Sequence, residues 1–173
     1  SDFQFISEQL VSANGEIQAR LRDFFRPIHL SLIPEFERIF KDSSRLPNWR
    51  DSAASALADY RASDIRFLSD YLSIATASQF EILFPLVAEA KDRAAIESLH
   101  QIVQKKPIEK LSQKERVDLG RHRAGAAISL LRQGERASIF ETLRFDEDPE
   151  SHSQFVSMCK SRGVSARDLV ECI

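Results

Sequence analysis

The stretch from Ser112 to Gly134 constrains the fold more than any other. It opens on Ser112-Gln113-Lys114-Glu115, a capping box. In that motif the serine accepts a hydrogen bond from the backbone amide three residues on, and the glutamate reaches back. It closes on Gly134, the residue type that takes a left-handed backbone just past a helix. Inside it, Gly120, Ala124, Ala127 and Leu131 follow i, i+4, i+7 and i+11, which is one ridge of a helix. A glycine inside a helix costs about 1 kcal/mol relative to alanine. Close approach of a neighbouring helix is the expected compensation. Gly120 and Gly125 lack the strand–turn–helix context of a phosphate loop.

The rest of the chain has the same helical character. Gly occurs 5 times and Pro 6 times among 173 residues, so strand-type turn signals are scarce. Runs of β-branched residues with period two are missing, and an all-α fold follows. A chain of this length can bury a sizeable core. Ile17, Leu21, Phe24 and Phe25 fall on one side of a helix over 16–25. Pro27 and Pro34 interrupt the next stretch, and Phe36, Ile39 and Phe40 form a short stripe. The first forty residues thus read as two helices with a proline break. Asn48 is the expected N-cap of a helix with Ala53, Ala54, Leu57 and Tyr60 inward. Ser63 precedes another, with Ile65, Phe67, Leu68, Tyr71 and Leu72 inside. Ser78-Gln79-Phe80-Glu81 reads as a second capping box, and Pro85 predicts a kink in the helix it opens. A helix over 94–103 ends before Pro107. A short one holds Ile139, Phe140 and Leu143. Asp148-Pro149 opens another that Gly163 closes, and Ser165-Ala166-Arg167-Asp168 opens the last.

Short turns join these helices in antiparallel pairs, about four of them over 47–173, after N-terminal helices in 1–46. Ala53-Ala54-Ser55-Ala56-Leu57 resembles Ala124-Gly125-Ala126-Ala127-Ile128, and Ser78-Gln79-Phe80 resembles Ser153-Gln154-Phe155. Pairs that cannot bury an apolar face alone stack on one another. The expectation is one helical-repeat domain over 1–173, an α-solenoid of HEAT or armadillo type. A compact helical bundle is the alternative.

NWRDSAASALADY from Asn48, SQFEILFPLV from Ser78, RHRAGAAISLLRQGE from Arg121 and DEDPESHSQFVSMCKSRGV from Asp146 occur in one order. Together they resemble the HEAT-like helical region of large bacterial multidomain proteins. In those proteins it accompanies a serine/threonine protein kinase domain, a formylglycine-generating-enzyme-like (sulfatase-modifying) domain, or both. The resemblance covers most of the chain from about residue 17. It carries over no catalytic residue and implies a spacer, sensor or docking module attached to an enzyme. The sole methionine, Met158, leaves Ser1 as no natural start, which fits a piece of a longer protein.

No candidate catalytic, cofactor or metal set emerges. His29, His100, His122 and His152 show no i,i+4 pairing, and a zinc site needs three or four converging ligands. Cys159 and Cys172 read as buried thiols rather than a disulfide framework. No apolar run is long enough to span a membrane. The net charge of −2 argues against nucleic acid, although Lys105, Lys106, Lys110, Lys114, Arg116, Arg121 and Arg123 form a basic region that keeps this alternative open. Trp and Arg favour interface hot spots. Trp49, Arg50, Arg121, His122 and Arg123 are therefore the candidate contacts for a protein or peptide, including flanking domains of the same chain. A purely structural spacer is the third reading. If the small-residue ridge packs, Ala127→Leu overfills it and costs roughly 1–3 kcal/mol. Thermal melting checks this, and an unchanged midpoint refutes the packing role.

Overall fold

A computed structural model of the chain describes residues 2–106, 111–136 and 149–171. The helix expected around Ile139, Phe140 and Leu143 lies outside them, as do Pro107, Lys110, Asp148 and Cys172. The described residues are helical, with no strand among them. The helices are α1 (Asp2–Ser12), α2 (Gly15–Phe24), α3 (His29–Lys41), α4 (Pro47–Tyr60), α5 (Ile65–Ile74), α6 (Ala77–Ala90), α7 (Arg93–Gln104), α8 (Gln113–Arg132), α9 (Pro149–Cys159) and α10 (Ala166–Val170). Two 3-10 turns, Arg26–Ile28 and Lys160–Arg162, extend α2 and α9. The chain divides into two compact units, Ser1–Asp64 and Ile65–Ile173.

In the first unit α3 and α4 pack on each other and both pack on α1. Leu10 and Val11 of α1, five apolar residues of α3 (Leu32, Ile33, Phe36, Ile39, Phe40), and Ala53, Ala54 and Leu57 of α4 are buried. Three helices, not two, precede α4. Phe3, Ile6 and Leu10 already carried the helical spacing of α1 in the sequence. Pro34 lies inside α3 and is exposed. Its ring lies on the exposed side of the helix, which continues through it to Lys41. The start of α4 is Leu46 with Pro47 in the first turn, two residues before the expected Asn48. The fixed φ of proline suits that first position.

The larger departure is α2. Its apolar stripe lies on one side of the helix as the spacing predicts, yet the helix buries no residue. The reason is polar. Gln18 Nε2 donates to the carbonyls of Val11 (3.3 Å) and Ala13 (2.7 Å) and to Ser52 Oγ (2.9 Å). Arg22 pairs with Asp59 at 3.3 Å, and the Tyr60 hydroxyl donates to the Arg22 carbonyl at 2.9 Å. These bonds turn the Gln18–Arg22 side of α2 inward and leave Ile17 and Phe24 exposed.

In the second unit α8 is the centre. α5, α7 and α9 all pack on it, while α6 packs on α5 and the Lys160–Arg162 turn packs on α6. Both predicted ends of α8 hold. The Ser112 amide and hydroxyl donate to the Glu115 carboxylate at 2.8 and 2.6 Å, and Ser112 Oγ accepts from the Glu115 amide. At the other end Gly134 has φ +89°. The Gly134 and Glu135 amides donate to the carbonyls of Leu131 and Leu130, both at 3.0 Å, the paired closure of a Schellman cap. Every residue from Arg123 to Leu131 is buried. A helix enclosed on all sides is a core helix, so burial extends beyond the predicted ridge to Ala126, Ile128 and Leu130.

α6 begins at Thr76 rather than Ser78. Thr76 Oγ1 accepts from the Gln79 amide, and the Gln79 side-chain oxygen accepts from the Thr76 amide at 2.9 Å. Two capping boxes overlap in this sequence, and the one whose third residue is the fully buried Gln79 is used. Phe80, Leu83, Phe84 and Val87 are buried as expected, and α6 runs on through the exposed Pro85 to Ala90.

Both glycines of α8 mark close approaches. A Cβ on Gly125 would lie 2.1 Å from the Ser73 carbonyl oxygen of α5, and one on Gly120 would lie 2.8 Å from Glu150 Cγ of α9. Gly125→Ala is expected to lower stability by about 1–3 kcal/mol, because backbone must move to admit the methyl. Gly15→Ala, where a Cβ meets nothing within 4 Å, leaves stability unchanged or raises it. Urea unfolding of the two variants measures the contrast, and equal midpoints would contradict the close approach.

Candidate functional site

The five candidate contact residues fall in different environments. Trp49 and Arg50 lie in the first turn of α4, in the first unit. Trp49 is half-buried, with the Arg45 guanidinium 5.7 Å from its ring centroid. Arg50 Nε donates to the Phe40 carbonyl at 3.1 Å, tying α4 to the end of α3. In the second unit Arg121 is exposed and His122 half-buried. Arg123 is only 3% exposed, and its Nε donates to the Val103 carbonyl at 2.8 Å, in the last turn of α7. The expected exposed Arg121-His122-Arg123 edge is therefore broken. Arg123 serves as a cap for α7, where carbonyls lack helical partners.

Several other titratable residues make structural contacts. Glu8 receives Arg45 at 2.8 Å and Gln4 at 3.4 Å, and these hydrogen bonds lower its pKa. Asp59 takes Arg26 Nη2 at 2.9 and 3.1 Å besides Arg22. Burial, and then the Asp59 charge, pushes the Tyr60 hydroxyl up to about 12. His29 Nδ1 lies 2.7 Å from the Arg26 carbonyl and so acts as the donor there. Among the described residues no group of three or more His, Cys, Asp or Glu side chains is placed to hold a metal ion. Cys159 is buried and free, its pKa pushed up to about 11 by burial. A thiol in that state is a poor nucleophile at neutral pH. His152, on the same helix, is exposed.

Two features were not read from the sequence. The first is a surface. Ile17 and Phe24 of α2, Ile28 of the turn after it and Leu30 in the first turn of α3 are exposed, with Phe24 at 74% and Leu30 at 67%. The charges flanking them are paired: Glu16 with Arg20 at 3.4 Å and Asp23 with Arg26 at 3.1 Å. The stripe was visible in the sequence, but its direction depends on Gln18, Arg22 and their distant partners.

The second is a buried arginine. Arg162 is 2% exposed. Its Nη1 donates to the Leu72 carbonyl at 3.2 Å and its Nη2 to the Ala75 carbonyl. These carbonyls end α5, the negative pole of that helix. The guanidinium also lies 5.1 Å from the Phe80 ring centroid. Burial, and then the charge of Arg121, lowers its pKa to about 10, so it stays protonated at neutral pH. Arg132 adds a second layer. Its Nη1 donates to the Arg162 carbonyl at 3.0 Å, and its guanidinium sits 4.2 Å from the centroid of Phe84, which stacks on Phe80 at 5.0 Å. Nothing in the sequence marks Arg162 except its position just before Gly163. No family model, curated protein or solved structure matches the chain.

Arg162→Met keeps the apolar length of the side chain and removes its donors. The carbonyls of Leu72 and Ala75 then lose this partner, which costs about 1–3 kcal/mol for each group left unsatisfied. Arg162→Lys recovers only part of this, since one ammonium does not reproduce the guanidinium fork. Urea unfolding monitored by circular dichroism tests the order native, Lys, Met; equal stability for the native and Met proteins would refute the assignment.

Proposed function

We propose that this chain is a non-catalytic helical interaction module, and that it docks a protein or peptide on the apolar edge formed by Ile17, Phe24, Ile28 and Leu30. The carrying observation is that α2 buries no residue while its apolar side faces solvent. Large exposed apolar groups at helical spacing are a feature of partner-binding surfaces.

A HEAT-like arrangement of antiparallel pairs is the architectural part of the proposal. Support comes from packing between helices close in sequence, such as α3 with α4, α5 with α6 and α7 with α8. The enclosure of α8 from Arg123 to Leu131 is a departure, since a helix in a linear stack keeps one side outward. The resemblance to helical regions beside kinase or sulfatase-modifying-like domains suggests a flanking enzyme domain of the same polypeptide as the partner. Nucleic-acid binding is the second reading. The exposed Lys105, Lys106, Lys114, Arg116 and Arg121 favour it, while the burial of Arg123 removes one member of that region.

Hydrogen exchange over residues 15–30 tests the docking surface, measured in this chain alone and in the complete gene product. Protection in the longer protein is expected, and Phe24→Asp with Leu30→Asp abolishes it without changing the melting temperature of this chain. Equal exchange in both proteins, accompanied by DNA affinity that falls with salt, would replace this reading with the nucleic-acid one.

A further inference from the structure

The last described segment of the second unit is held largely by charge. The turn after α9 is closed by the Gly163 amide donating to Lys160 and the Val164 amide to Cys159, with Gly163 at φ +71° and both Val164 and Cys159 buried. Full apolar burial stops there: α10 contains no buried residue, and its Leu169 is only half-buried. Its own start is capped: the Ser165 amide and hydroxyl donate to Asp168 at 2.8 and 2.7 Å. A helix this short does not sustain itself in water, so its placement depends on the groups that hold it.

A small ionic cluster does so. Glu171 pairs with Arg136, just past the end of α8, and with Arg167 at 2.6 Å. Asp168 lies in the field of Arg136 and Arg132. Both carboxyls are lowered, Asp168 chiefly by hydrogen bonds from Ser165 and Glu171 by those from Arg167 and Arg136. The cluster is thus fully charged at neutral pH. Exposed ion pairs are weak and are screened by salt, whereas the apolar anchor at Val164 is not.

We propose that residues 165–171 form an ionic strap, which detaches from the end of α8 by pivoting after Val164 while the remainder of the second unit stays folded. Its occupancy is set by ionic strength and by competing charged groups. This is a local opening at the low-stability end of the molecule, distinct from global unfolding.

Nuclear magnetic resonance of the whole chain tests it, with Cα shifts of 166–170 reporting the strap and those of α8 and α9 reporting the body. In low salt the strap shifts are expected to be helical. Sodium chloride at about 1 M, where the screening length is about 3 Å, moves them most of the way to coil and leaves α8 and α9 unchanged. Arg136→Glu does the same in low salt. Strap shifts indifferent to both salt and Arg136→Glu would overturn the proposal. So would strap shifts lost only together with those of α8 and α9.

Discussion

The second unit depends on how closely α8 passes the end of α5. At Gly125 the two backbones leave no room for a Cβ, which would sit 2.1 Å from the Ser73 carbonyl oxygen. Such proximity covers the last turn of α5, whose carbonyls have no helical partners and cannot be left dry and unpaired. Arg162 resolves this by entering from the side and donating to Leu72 and Ala75. Burying a guanidinium costs several kcal/mol in desolvation. The pole of α5, the hydrogen bonds and the face of Phe80 offset it together. The order of dependence runs from the small residue to the close approach, from the approach to the dry helix end, and from there to the arginine.

That chain of dependence explains how much was legible beforehand. The ends of α8 were, because a capping box and a Schellman glycine are local chemistry, decided within a few residues of Ser112 and Gly134. The small-residue ridge was legible too, since periodicity reports a packing face. The role of Arg162 was not, because its partners lie about ninety residues away in sequence on α5. Arg123 failed for a related reason. It stands in a basic triplet that looks solvent-facing, yet one turn of α8 carries it onto the open end of α7. Thr76 displaced Ser78 as the start of α6 because the burial of Gln79 decided between two overlapping local signals.

The same limit acts with opposite sign in α2. Periodicity correctly places Ile17, Leu21 and Phe24 on one side of a helix, but it does not say that this side faces the core. Here the inward direction is set by Gln18, which closes the end of α1 and reaches Ser52, and by Arg22, which meets Asp59 while its carbonyl accepts from Tyr60. Rotating α2 to hide its apolar side would break all of these bonds at once and strand the Tyr60 hydroxyl in a largely buried position, at a cost comparable to the apolar burial gained. The exposure of Ile17 and Phe24 is therefore maintained by specific bonds on the opposite side of the helix. A loosely packed helix would relieve such exposure by turning. This one is held in place, so Ile17 and Phe24 stay at the surface. The polar chemistry of Gln18 and Arg22 is in this way the physical basis of the docking role proposed for the edge.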